Sequence, residues 1–396
     1  MTFQVVDIEK IWFEPQTQPA TFGIDPGTNT VVLTLLWEAI HPVAWIDRLK
    51  FLIQSVKSRN QKVVLVVNSW YKNFQSYFSQ CAADDIIFLD FFLILVYLRL
   101  FERKESPLAQ QWNAKNTTWL LLTGKPNKAN RLNFLYFLST QNLLDDCVWS
   151  LHCPESHQDR CISLLPDLSA AQAKQWIHQH QRNPDAVQVI ETKQGLHYSG
   201  IPYGTVYSDA LFQVVTETNC NVSQPWITEK TWLPIVNQLP FMIFGNPTSM
   251  QKLTDLGFDC YESLLLDHRF DRCLDVDQRY QSLAINVRYW LNALLENQST
   301  VAQITKHNQG QFVKLAKIEI AQLQQALDQH RLNVKFDEVI QFADNIQQSQ
   351  WAAWYHRIRD SSWPDCPTEQ CFVNLPDHIR KECVEVFGYY PGKFNL

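Results

Sequence analysis

Residues 217 to 235 read Glu217-Thr-Asn-Cys-Asn-Val-Ser-Gln-Pro-Trp-Ile-Thr-Glu-Lys-Thr-Trp-Leu-Pro-Ile235, followed after three residues by Leu239-Pro-Phe-Met-Ile-Phe-Gly245. The turn Thr228-Glu229-Lys230 stands directly before a segment of helical character, which feeds a short apolar run that reads as a buried strand. A helix start offers unpaired backbone N–H groups and the positive end of the helix dipole, and both favour an anion. Lys230 adds a full positive charge there, and Glu229 is an acceptor suited to ribose hydroxyls. This pattern predicts the diphosphate and sugar end of a nucleotide-sugar site, set on an α/β scaffold.

Working outward, Ala210 to Glu217 reads as the strand that ends at this site, and Phe241 to Gly245 as the strand that follows it. Upstream, Trp119-Leu-Leu-Leu-Thr123 reads as a strand, 124–130 as a loop, and Arg131 to Thr140 as a helix with Leu132, Phe134, Leu135 and Leu138 inward. Such loops lie at the carboxyl ends of parallel strands, where doubly wound sheets take their ligands. Nearer the start, Thr30 to Trp37 and Lys62 to Val67 are β-branched runs suited to buried parallel strands. Between them Ala44, Ile46, Leu49, Phe51, Leu52 and Val56 recur at roughly helical spacing, and a third run begins at Asp85. Strand, helix, strand implies a parallel α/β sheet. Trp176 to Gln181 reads as helix and Ala186 to Glu191 as strand. Residues 276–350 carry long apolar periodicities that read as two or three helices.

With 396 residues the chain exceeds one ordinary core, so two domains around a cleft are expected. The polar stretch 104–118 is the expected linker. A net charge of −6 gives no general attraction to a polyanion, which disfavours nucleic acid as a partner. The start of the chain lacks a basic stretch followed by an apolar one, so no signal peptide is read and a cytoplasmic location is expected. Ile86 to Leu100, the most apolar segment, is too short and too charged to span a bilayer and reads as strand plus helix. The 14 Trp and 23 Phe residues fit core packing better than sugar or base stacking.

Among the ten cysteines, one cluster has metal-ligand types: Cys147, His152, Cys153, His157 and Cys161. It lacks a Cys-x-x-Cys pair, and reduced, buried thiols are the expectation. Asp275-Val-Asp277 spells the Asp-x-Asp that some sugar transferases use to hold a divalent ion. Its place at the start of a polar helix reads instead as a cap. No metal site is expected.

Glu217, Trp226-Ile-Thr-Glu-Lys230 and Pro240-Phe-Met-Ile-Phe-Gly245 resemble the donor half of the α1,3-fucosyltransferases, and more broadly a set of viral and bacterial glycosyltransferase-like chains. The resemblance covers about 118–250. It implies two Rossmann-like domains facing a cleft, the arrangement called GT-B, with a helical C-terminal region. Residues 1–115 would form the acceptor-side domain, joined by the tail 351–396, and residues 116–350 the donor domain. It further implies that Lys230 binds donor phosphate, that Glu229 binds the ribose, that Glu217 lies near the transferred sugar, that Trp226 fills the aromatic place before Thr228, and that Arg131 is a second phosphate clamp. Lys125, in the loop before Arg131, would assist by charge and position. The sequence departs from the family pattern at Thr216-Glu-Thr-Asn219, where Phe-Glu-Asn-Ser is usual, and the gap to Thr228 is longer.

Sugar transfer needs a stabilised leaving diphosphate and a base for the acceptor hydroxyl. Arg131, Lys230 and the helix start would supply the first without a metal, and the resemblance puts an inverting carboxylate base in the N-terminal domain. Glu38, at the carboxyl end of the Thr30 to Trp37 strand, is the candidate, with Asp90 and His41 as alternatives. The expected activity is an inverting glycosyltransferase that moves a fucose-like sugar from a nucleotide-sugar co-substrate, GDP-linked by preference, to a glycan or glycolipid. No other cofactor is expected. Two alternatives stay open: sugar transfer to a modified base of viral DNA, and an inactive nucleotide-binding or scaffold protein.

Overall fold

A computed structural model describes residues 3–7, 24–36, 46–69, 75–98, 100, 112, 118–122, 129–151, 153, 158–165, 167–181, 207, 209–217 and 225–329. The chain separates into two compact units, residues 1–95 with 315–374 and residues 96–314 with 375–396.

The first unit is built on a parallel sheet of β1 (Phe3–Asp7), β2 (Thr30–Leu35), β3 (Lys62–Asn68) and β4 (Asp85–Leu89), in that spatial order. Val32 pairs with Val64, and Val66 with Ile87. Every residue of β2 and all but the first of β3 are buried, as expected of central strands covered on both faces. Helix α1 (Ile46–Lys57) turns Leu49, Leu52, Ile53 and Val56 inward, the spacing of one helical face. Phe51, grouped with them on sequence, is 59% exposed, because two residues from Leu49 is just over half a turn away. A short helix α2 (Gln75–Ser79) precedes β4. Strand β4 passes into α3 (Phe91–Tyr97) through Asp90, whose Oδ1 accepts the Leu93 N–H at 3.0 Å, so the segment Ile86 to Leu100 is a strand and a buried helix.

The second unit contains β5 (Trp119–Leu122), α4 (Ala129–Thr140), β6 (Cys147–Ser150), α5 (Gln158–Ser163), α6 (Ala170–His180), β7 (Gln213–Thr216), α7 (Glu229–Val236) and β8 (Phe241–Phe244). Its strands are all parallel, in the order β6-β5-β7-β8. The chain therefore leaves β5 toward one edge to form β6, and later comes to the other side of β5 to form β7 and β8. That reversal makes the gap between β5 and β7 a topological switch point, where α/β sheets open a crevice outside the strand ends. Strands β5 and β7 lie side by side along their length, with Leu120 opposite Gln213 as the registered pair. The pairing is extended by Leu120 N–H to Phe212 O at 2.9 Å and Leu211 N–H to Thr118 O at 2.7 Å.

Strands β1 and β6 have no counterpart in the sequence reading, β7 is shorter than expected, and α6 starts earlier. Helix α6 owes its start to Ser169, which forms a capping box with Gln172. Beyond β8 come α8 (Ser249–Asp255), α9 (Arg269–Arg272), α10 (Val276–Glu296) and α11 (Gln298–Gln329), the last two accounting for the long periodicities read after residue 276. The strand expected at 186–191 and all of 330–396 lie outside the described residues.

Aromatic residues build this core. Phe134 of α4 stacks on Phe244 of β8 at 5.1 Å and on Tyr280 of α10 at 5.3 Å. Trp119 stacks on Phe212 at 5.7 Å, and Trp232 of α7 packs between Phe258 and Phe312. Trp119, Trp232 and Trp290 are fully buried, so these tryptophans serve packing.

Candidate functional site

Two helices start at the carboxyl edge of the second sheet, one on each side of the switch point. Helix α4 follows β5 and carries Arg131 in its first turn; helix α7 lies between β7 and β8 and begins with Glu229 and Lys230. Thr228 is the cap of α7: its backbone is extended, and its hydroxyl accepts the Lys230 N–H at 3.4 Å. Pro234 lacks the N–H that would reach the Lys230 carbonyl and keeps this helix short. Its far end is tied down by Leu239 N–H to Pro234 O at 2.9 Å and by the Gln309 amide to Val236 O at 2.6 Å.

Glu217 joins both helix starts to the sheet. Its backbone N–H donates to Phe244 O at 2.9 Å, extending β7 alongside β8, and its carbonyl accepts from the Asn130 amide of α4 at 3.3 Å. The side chain, 0% exposed, turns to α7. Oε1 accepts the Thr228 N–H at 3.0 Å and the Thr231 hydroxyl at 2.7 Å, and Oε2 accepts the Thr228 hydroxyl at 2.6 Å. Behind it Gly245 leaves room: a Cβ there would stand 3.1 Å from the Glu217 Cβ. The Gly245 carbonyl accepts from the buried Arg279 guanidinium, which also donates to Phe270 O at 2.7 Å and lies 4.7 Å from the Phe244 ring centre.

In front of this support lie the charges. Lys230 Nζ is 2.7 Å from Glu229 Oε1, and both side chains keep about a quarter of their surface exposed. Burial alone would raise the Glu229 carboxyl, but the Lys230 charge, its direct hydrogen bond, a backbone N–H and the Arg131 charge together hold it below the usual carboxylate range. Arg131, 5% exposed, is thus close enough for its charge to be felt at Glu229. Tyr207 belongs to the same neighbourhood, its hydroxyl pushed up first by burial and then by the Glu229 charge. Trp226 and Ile227 are buried beside the cap, and the Lys252 ammonium holds the Pro225 carbonyl at 3.2 Å.

Of the residues singled out on sequence, Arg131, Glu217, Trp226, Thr228, Glu229 and Lys230 therefore meet at one edge of one sheet. Glu217, Thr228, Trp226 and Arg131 are buried, whereas Glu229 and Lys230 keep access to solvent. Lys125, Glu38 and His41 lie outside the described residues. Asp90 has its Oδ1 engaged as the cap of α3, and its N–H donates to Glu319 Oε2 at 3.2 Å. Sequence reasoning did not find Asn130, Tyr207, Thr231 or Arg279 at this site. Threonine on both sides of the Glu-Lys pair and a glycine closing β8 were the available signals for the Glu217 clamp.

Asp275 is the cap of α10, its Oδ1 accepting the Gln278 N–H at 2.8 Å. Cys147, Cys153 and Cys161 are buried thiols that form no disulfide, and a hydrogen bond with Cys161 lowers the Cys153 thiol against the effect of its burial. His152 and His157 lie outside the described residues. Among the described residues no group of His, Cys, Asp or Glu is arranged to hold a metal ion, and no helix is long and apolar enough to cross a membrane.

No family model matches the chain, and no curated protein matches it. Two cationic side chains, Arg131 and Lys230, each on the first turn of its own helix, lie beside the switch point, with the Glu229 carboxylate paired to Lys230 and within reach of the Arg131 charge. Such a place attracts phosphoryl oxygens and offers an acceptor for hydroxyl groups.

Proposed function

We propose that the protein is an inverting glycosyltransferase that takes a nucleotide-diphosphate sugar as donor. The observation that carries this reading is the shared neighbourhood of Arg131, Glu229 and Lys230 at the start of two helices flanking the β5/β7 switch point. A nucleoside diphosphate is the ligand class whose charge needs both cations and whose ribose gives the adjacent carboxylate a hydrogen-bonding task. The resemblance of Trp226 to Lys230 and Pro240 to Gly245 to the α1,3-fucosyltransferases points the same way and favours a GDP-linked, fucose-like sugar with a glycan or glycolipid acceptor.

In this reading the acceptor hydroxyl attacks the anomeric carbon while the bond to the diphosphate breaks, and the hydroxyl proton passes to a carboxylate base, for which Glu38 is the candidate. Arg131 and Lys230 stabilise the negative charge that grows on the leaving oxygen, fixed in place before the reaction and requiring no metal ion. Lys230 exchanges its contact with Glu229 for the phosphate, and Glu229 turns to the ribose.

A thermal-shift screen of GDP-, UDP-, ADP- and CMP-linked sugars tests the proposal. A true donor at a hundred times its dissociation constant should stabilise the protein by about 2.7 kcal/mol. Lys230→Ala and Arg131→Ala should each abolish the shift. A shift that is equal for every nucleotide, and equal in wild type and both variants, would remove the site from consideration.

A further inference from the structure

We propose that Glu217 is a positioning residue: through its carboxylate and its carbonyl it fixes the two cation-bearing helix starts to each other, and so sets the spacing of Arg131 and Lys230. The proposal builds on the diphosphate reading above and departs from the place beside the transferred sugar that the family resemblance suggests for this residue. With no exposed surface and both carboxylate oxygens engaged, Glu217 acts on a ligand only through its neighbours.

Its contacts run in two directions. The carbonyl accepts from Asn130, the residue next to Arg131 on α4. The carboxylate accepts three hydrogen bonds from Thr228 and Thr231, which bracket Glu229 and Lys230 on α7. Both threonine hydroxyls donate to the carboxylate oxygens, and that decides the polarity of the Thr228 hydroxyl. Because the hydroxyl proton goes to Glu217 Oε2, the oxygen lone pairs face Lys230, whose backbone N and Nζ both lie 3.4 Å away. One carboxylate thus orients the cap, and the cap orients both the backbone and the ammonium of Lys230. Glutamine would reverse the arrangement: its amide would donate to Thr228 Oγ1, leaving the threonine proton to compete with the Lys230 N–H.

The test compares wild type with Glu217→Gln, Thr228→Val, the double variant and Thr228→Ser. Affinity for GDP and for UDP is measured by calorimetry, and amide hydrogen exchange is measured over residues 226–236 and, as a reference, over β8. Glu217→Gln and Thr228→Val should each weaken nucleotide binding on the order of tenfold. The double variant should lose no more than about the same factor, since both changes break one connected set of bonds. Thr228→Ser should bind as wild type does. Exchange should quicken in 226–236 while β8 stays protected. Wild-type affinity and unchanged exchange in Glu217→Gln would overturn the proposal, and so would exchange that quickens equally in β8, which would make Glu217 a general support of the sheet. If wild type binds neither nucleotide, a GDP- or UDP-linked donor is ruled out, and the exchange measurement alone still decides for or against Glu217.

Discussion

Gly245→Ala probes the packing behind the site. The added methyl would stand 3.1 Å from the Glu217 Cβ, 3.2 Å from its Cγ and 3.1 Å from the Ser249 hydroxyl oxygen, so something must move. Glu217 is held by three hydrogen bonds to its carboxylate, and the Gly245 backbone is held through its carbonyl by Arg279. Ser249 can rotate away only by giving up its bond to Asn246 O at 2.6 Å. Overpacking costs about 1–3 kcal/mol and a lost buried hydrogen bond about 1 kcal/mol, for a loss of about 2–4 kcal/mol. For a unit of this size that lowers the melting temperature by roughly 4–16 °C. Thermal and urea unfolding, followed by tryptophan fluorescence, measure it. Gly310→Ala is the matched control: Gly310 lies within α11 with nothing inside 4 Å of a new Cβ, and the change should stabilise by about 0.5–1 kcal/mol. A Gly245→Ala protein melting within about 2 °C of wild type would mean that Glu217 can yield, and the rigid clamp would be refuted.

Arg279→Leu removes the hydrogen bonds to Gly245 and Phe270 and a charge that steadies the buried Asp271 carboxylate, whose pKa burial already raises. Unfolding should become easier by about 3–5 kcal/mol, as for other buried charges that lose a partner, and a loss below about 1 kcal/mol in urea titrations would contradict that assignment. The Glu229 carboxyl titrates below its ordinary range in the folded protein, so its stabilising contribution is present at neutral pH and is lost as acid passes through the lowered folded-state value. The gap in melting temperature between wild type and Glu229→Gln should accordingly be constant above about pH 5 and shrink once the pH falls below the ordinary glutamate value of about 4.3. A gap independent of pH would rule out the ion pair with Lys230 as its source.

Much of the scaffold was readable because buried parallel strands announce themselves as unbroken apolar runs. The segments around Val32, Val64, Ile87, Leu120 and Ile243 all fold as that pattern implies. Strand β6 escaped because Cys147-Val-Trp-Ser150 is only four residues long and begins with a cysteine, which drew attention to metal chemistry rather than to burial. Strand β1 escaped because Phe3 to Asp7 gains its pairing from β2, a long-range partner that local pattern does not reveal. At the site, the Thr-Glu-Lys turn was legible as a helix start because capping is local. The role of Glu217 was not, since its partners Thr228 and Thr231 lie 11 and 14 residues away, and only the fold brings them to its carboxylate.

The join between β5 and β7 has a kinetic consequence. Its two sides are some ninety residues apart in the chain, whereas β7 and β8 are much nearer in sequence and pair along their whole length. Closing so long a loop is slow, so this join should zip after its neighbours. A ligand gripping the helix on either side would act as a rivet across it, making the last part of the sheet to assemble the part most firmly held when the crevice is full.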